Sequence, residues 1–169
     1  MREGQASRTA EQNALFRALE SSRPQSCRLF DDPLAQRFLT WPLSFVQRLA
    51  RLPGPHVFVP WFIDHRWPGV RTSVVARTRL IDDAIACSAN ERFDQFVVLG
   101  AGFDSRAYRL QCLQNTTVFE VDHPATQVLK RRSLERVLRA LPRHVRFVAT
   151  DFTQHDLQSA MAGAGYRGS

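Results

Sequence analysis

The chain has 169 residues, 44% of them hydrophobic, and a formal net charge of +7. That length supports a real core. No apolar run approaches a membrane span, and the polar stretch 1–12 lacks the apolar core of a signal peptide. Cys27, Cys87 and Cys112 are far apart and odd in number, which argues against a disulfide scaffold and a zinc site and points to a reduced, cytoplasmic compartment.

Along the chain, Ala14, Leu15, Ala18 and Leu19 give helical periodicity over 9–21, ended by Pro24. Asp31-Asp32-Pro33 reads as the start of a helix carrying Leu34, Ala35, Phe38 and Leu39. Trp41-Pro42 reads as an interruption, and 44–52 as another short helix. The stretch 56–68 is aromatic and bounded by prolines; it reads as core packing beneath a loop, or as a lid over a substrate pocket. A long helix is expected over 72–88, with Arg77 and Arg79 two apart and so on different sides.

Phe96-Val97-Val98-Leu99 is an unbroken apolar run, followed by Gly100-Ala101-Gly102-Phe103-Asp104-Ser105-Arg106. A short apolar run ending in turn residues suits a strand buried on both faces. The two glycines allow a tight turn and a close approach of backbone to ligand. Asp104 or Ser105 can cap a helix expected over 105–113. Strand, glycine loop and helix start together make a nucleotide-type cofactor site. The third glycine of the dinucleotide fingerprint is missing, which weighs against a pyrophosphate ligand.

Residues 116–122 read as a second strand ending at Asp122, about twenty residues after the glycines, where a carboxylate meets ribose hydroxyls. Glu120 points to the same side and is the second choice for that contact. Residues 145–152 read as a third strand, whose end places Asp151 and Phe152 for an adenine ring. His123-Pro124 reads as a turn into a helix. Lys130, Arg131, Arg132, Arg136, Arg139, Arg143 and Arg146 form the one dense basic group, with Arg132, Arg136, Arg139 and Arg143 spaced to share a helix face. This reads as a solvated face; basic charge alone does not establish an RNA partner.

The motifs V-L-G-A-G-F-D-S-R-A-Y-R-L, F-E-V-D-H-P and A-R-T-R-L-I-D-D, with the upstream R-A-L-E…L-F-D-D-P-L-A, resemble the leucine carboxyl methyltransferase-like group of S-adenosylmethionine-dependent methyltransferases. The resemblance covers nearly the whole chain. It implies an α/β, Rossmann-like methyltransferase fold that is incomplete here: an N-terminal helical cap and lead-in helix over 1–90, then about three parallel strands over 91–169. The chain then reads as the N-terminal part of a longer enzyme, marginally stable alone.

By the family's A-R motif, Arg77 is the expected partner of the methionyl carboxylate. Gly100, Ala101 and Gly102 form the cofactor loop. Asp104 either binds near the methionyl group or caps the helix; Glu120, Asp122, Asp151 and Phe152 complete the expected set. No catalytic residue, metal site or P-loop is read. The implied reaction is methyl transfer to a carboxylate or hydroxyl oxygen of a small molecule or protein, with no membrane or nucleic-acid partner. A non-catalytic remnant and an RNA-associated methyltransferase stand as alternatives.

Overall fold

The computed structural model describes residues 8–88, 93–152 and 156–168. The chain divides into a helical unit, Arg8–Ala84, and a sheet unit from Ile85 onward.

The helical unit is built on α1 (Arg8–Ser21), in which residues 14–20 are all buried. Two of them are charged, so both need partners in the interior. Arg17 Nε lies 2.8 Å from Asp32 Oδ2, and Glu20 accepts from Arg23 and from the amide of Leu29. The segment 29–35 is thereby strapped along α1, with the Asp32 amide donating to Ser21 Oγ. The helix expected after Pro33 is only a 3-10 turn, Ala35–Phe38, whose Ala35 amide donates to Asp32 Oδ1.

Helix α2 (Trp41–Leu49) includes the dipeptide expected to interrupt it. Pro42 sits in the first turn, where the absent N–H costs nothing. Helix α3 (Pro55–Arg66) replaces the expected loop. Pro55 starts it in the same way, and Pro60 lies inside it at the loss of one backbone hydrogen bond. The core-packing expectation is also corrected: Phe58, Trp61, Phe62 and Trp67 are all at least half exposed, and only Ile63 of α3 is buried. Phe58 stacks on Phe62, and Trp61 on His65. Helix α4 spans Val70–Ser88. Leu15, Phe16, Leu19, Ala50, Ile63 and Val74 form the core of this unit.

The sheet unit holds three parallel strands in the order β1 (Gln95–Leu99), β2 (Thr117–Asp122), β3 (Val145–Ala149). This is the Rossmann-like arrangement of consecutive parallel strands joined by helical crossovers. Central β2 is buried on both faces. Val118 joins Phe96, Val98, Val145 and Phe147 on one face; Phe119 and Val121 join Val97 and Val148 on the other. The first face is covered by α5 (Arg106–Arg109) and α6 (Pro124–Glu135), the second by α7 (Leu157–Gly163).

Two helix expectations are shortened. The helix over 105–113 is a four-residue α5 and a separate 3-10 turn, Gln111–Leu113, because Leu110 between them is extended. Helix α6 stops at Glu135, so Arg139 and Arg143 lie outside it and the four arginines do not share a helix face. Like charges at that spacing repel along a helix. Lys130, counted with the solvated group, is fully buried. None of the described helices is long and apolar enough to cross a membrane.

Candidate cofactor site

The carboxyl end of β1 runs straight into the glycine loop. Gly100 and Gly102 have φ of 61° and 46°, the left-handed region that glycine enters without strain. The loop is stitched to β2: the Ala101 amide donates to the Val121 carbonyl at 3.0 Å, and the Gly102 amide donates to Asp122 Oδ2. The other Asp122 oxygen accepts from the His123 amide at 2.6 Å. The glycine loop and the end of β2 thus meet at one corner, with Asp122 partly open to solvent. A Cβ at Gly100 would meet nothing within 4 Å, so the space above that residue is open.

Asp104 lies one residue before the N-cap position of α5 and contacts its first residue. Its Oδ1 accepts from the Arg106 amide at 2.8 Å, and its Oδ2 pairs with the Arg106 guanidinium. Ser105 occupies the N-cap position of α5 without a side-chain cap; its Oγ accepts from Arg109 Nε at 3.2 Å.

Asp151 follows β3, and the Thr150 amide before it donates to the Asp122 carbonyl at 3.0 Å, so β2 and β3 end side by side. Asp151 Oδ2 lies 3.8 Å from His123 Nε2. Phe152 is half exposed beside it. Glu120 sits differently from Asp122. It is buried to 1% exposure, with Lys130 Nζ 2.7 Å from Oε2 and the Tyr108 hydroxyl donating to the same oxygen at 3.0 Å. Burial pushes this carboxyl up from its usual range, while Lys130 pulls it back. Burial and the Glu120 charge raise Tyr108, so its phenol keeps its proton and remains the donor. Arg77 lies on α4 in the helical unit and is exposed. The neighbouring Arg79 is engaged with Asp83 and with the Leu29 carbonyl.

Of three further contributors, one was read only as a turn into a helix and two escaped the sequence reading. His123 is the N-cap of α6, with Nδ1 accepting from the Ala125 amide at 3.2 Å; the signal was His-Pro at a helix start. Gln127 Nε2 donates to the carbonyls of Glu120 and Val148, clamping β2 to β3. Tyr108 carries no sequence signal beyond its place after the glycine loop. Among the described residues no group of three His, Cys, Asp or Glu side chains could hold a metal. An apolar trough of about 660 Å3 beside Val97, Leu99, Met161 and Tyr166 touches none of the expected cofactor residues.

A parallel α/β sheet whose first strand opens into a glycine loop, with an acid at the end of the second, defines the class of nucleotide-type cofactor-binding proteins. The family model for leucine carboxyl methyltransferase matches residues 10–169, and the chain belongs to that family. It is 37% identical over 162 residues to a Streptomyces coelicolor protein whose name provisionally assigns it as an S-adenosyl-L-methionine-dependent methyltransferase; the match covers 94% of this chain and 53% of that protein. A Frankia alni protein with the same provisional assignment is 36% identical, over 94% of this chain and 52% of its own length. A Mycobacterium relative is 32% identical over 121 residues, 72% of this chain and 46% of its own length. The chain therefore spans about half the length of the curated relatives it matches.

Proposed function

We propose that this chain carries the cofactor site of an S-adenosylmethionine-dependent O-methyltransferase. One observation carries the reading: Asp122 closes the corner between the glycine loop and β2 while staying partly open to solvent. The donor set fits this cofactor. Asp122 accepts from ribose hydroxyls, Asp151 accepts from the adenine amino group, the Phe152 amide donates to a ring nitrogen, and its ring packs against the base. The loop 100–102 brings backbone close to the methionyl chain. Arg77, by the family's A-R motif, pairs with the methionyl carboxylate as a fixed planar cation. No phosphate-binding lysine is called for, and the open space at Gly100 leaves room for the ligand.

S-adenosylmethionine supplies a methyl group already activated by its sulfonium. The protein's task is then to hold acceptor and methyl group in line. A carboxylate acceptor is ionised at neutral pH and needs no base, whereas a hydroxyl needs one. The acceptor in this reading is a carboxylate or hydroxyl oxygen of a small molecule or protein. The RNA-associated reading is weaker, because Lys130 of the basic group is buried and Arg131 and Arg146, though exposed, are held by contacts within the chain. Lys130 pairs with Glu120, Arg131 lies over the Phe147 ring, and Arg146 donates to the Ala164 carbonyl.

Calorimetry with S-adenosylmethionine tests the proposal. Asp122→Ala is expected to weaken binding about tenfold, roughly 1.4 kcal/mol. Unchanged affinity in a folded variant removes Asp122 from the site.

A further inference from the structure

Tyr108, Glu120 and Lys130 form a polar cluster in the interior of the sheet unit, on three separate elements. Glu120 and Lys130 are each 1% exposed. Both Lys130 Nζ and the Tyr108 hydroxyl meet one carboxylate oxygen, Oε2, at 2.7 and 3.0 Å, and Lys130 also lies over the Tyr108 ring, 5.6 Å from its centroid. A buried ion pair is a poor source of stability, since desolvation offsets most of the attraction and apolar residues of similar size often do as well. Apolar packing, however, fixes no direction. A hydrogen bond to one oxygen does.

The direction fixed here is that of α5. This helix has four residues, too few to hold itself, so its orientation comes from tertiary contacts. Its contacts converge: Ala107 is buried, His144 Nε2 meets the Ala107 carbonyl at 2.9 Å, and Tyr108 reaches Glu120. Helix α5 is continuous with the glycine loop, since the Tyr108 and Arg109 amides donate to the Ser105 carbonyl and the Asp104 amide donates to that of Ala101. Glu120 and Asp122 project from the same face of β2. The strand thus grips the loop directly, through Val121 with Ala101 and Asp122 with Gly102, and indirectly through Glu120 and Tyr108.

We propose that Tyr108, Glu120 and Lys130 act as positioning residues that fix α5, and through it the amides of the glycine loop, in the geometry that receives the cofactor. The cofactor part of this statement rests on the function proposed above; the loop part does not. Lys130 neutralises and orients Glu120, Glu120 takes the tyrosine proton donor, and Tyr108 sets α5.

The test uses the full chain, with Tyr108→Phe as the main variant because it keeps the ring and removes only the hydroxyl. Amide hydrogen exchange is followed at residues 100–106 and, as reference, at Phe119 and Val121 of β2. The loop amides are expected to exchange about tenfold faster while the β2 amides hold, as loss of one buried hydrogen bond would give. Lys130→Met, which leaves Tyr108 in place, is expected to give a smaller change at the same amides. Equal acceleration in loop and sheet, or none in either, overturns the positioning role. Calorimetry then separates the two claims. Tyr108→Phe is expected to lose about tenfold for S-adenosylmethionine and far less for adenosine, which does not extend along the loop. Equal losses for both ligands refute the link to the methionyl side. A wild-type chain that binds neither ligand overturns the proposed function, while the exchange data still decide whether the cluster sets the loop.

Discussion

At the scale of single residues, the sheet unit shows backbone conformation and charge assigned to different jobs. Gly100 is required by its φ of 61° and by nothing in its surroundings, since a Cβ added there would meet no atom within 4 Å. Gly100→Ala should therefore cost about 1 kcal/mol through backbone strain, with no steric rearrangement. Urea unfolding measures this; a loss several times larger would mean that the loop moves. Glu120 and Asp122 make the complementary point. Two carboxylates two positions apart on one strand face look equivalent in the sequence, yet one is sealed against Lys130 and the other opens toward solvent beside Gly102. The alternation of a strand tells which side each faces but not which helix lies above it. Lys130 was hidden for the same reason: among six arginines its charge reads as solvated, and only the packing of α6 over β2 buries it.

At the scale of elements, boundaries follow local chemistry where capping is strong and drift where it is not. Helix α7 begins at Asp156, whose carboxylate accepts from the amides of Gln158 and Ser159 at 3.2 and 3.0 Å and from the Ser159 hydroxyl at 2.8 Å. Those bonds, led by the Ser159 hydroxyl, hold the Asp156 carboxyl below its usual value. The sign follows from linkage. A carboxyl whose folded value is depressed contributes stability above its unfolded value, about 3.9 for aspartate, and loses it as pH falls through the lower folded value. Wild type should thus melt above Asp156→Ala at neutral pH, and the difference should shrink on acidification below pH ~4. A gap independent of pH would assign the effect to helix propensity instead. The three strands were legible because each is a short apolar run with its own punctuation, although the third stops at Ala149 and leaves Asp151 and Phe152 beyond its end rather than within it. Helix α3 was not, since prolines at both margins and one inside mimic a loop, and first-turn prolines are compatible with either outcome.

At the scale of the whole molecule, the chain is two units, each with its own core, and the family's motifs are shared between them: Arg77 in Arg8–Ala84, and the glycine loop with Asp122 and Asp151 in the sheet unit. The order of strands could be anticipated from motif order, while the aromatic surface of α2 and α3 could not, because sequence periodicity marks an apolar face without saying whether anything covers it. That surface has an optical consequence. Trp41, Trp61 and Trp67 are all the tryptophans of the chain; they lie in the helical unit and are 80%, 56% and 50% exposed. Both tyrosines, Tyr108 and Tyr166, lie in the sheet unit. The two halves therefore carry separate chromophores. Tryptophan emission should be red-shifted and readily quenched by acrylamide, and should report the helical unit, while tyrosine absorbance follows the sheet. Adenosine added to the chain should leave the tryptophan spectrum still and perturb the tyrosine signal; a tryptophan response would bring one of those indoles to the ligand.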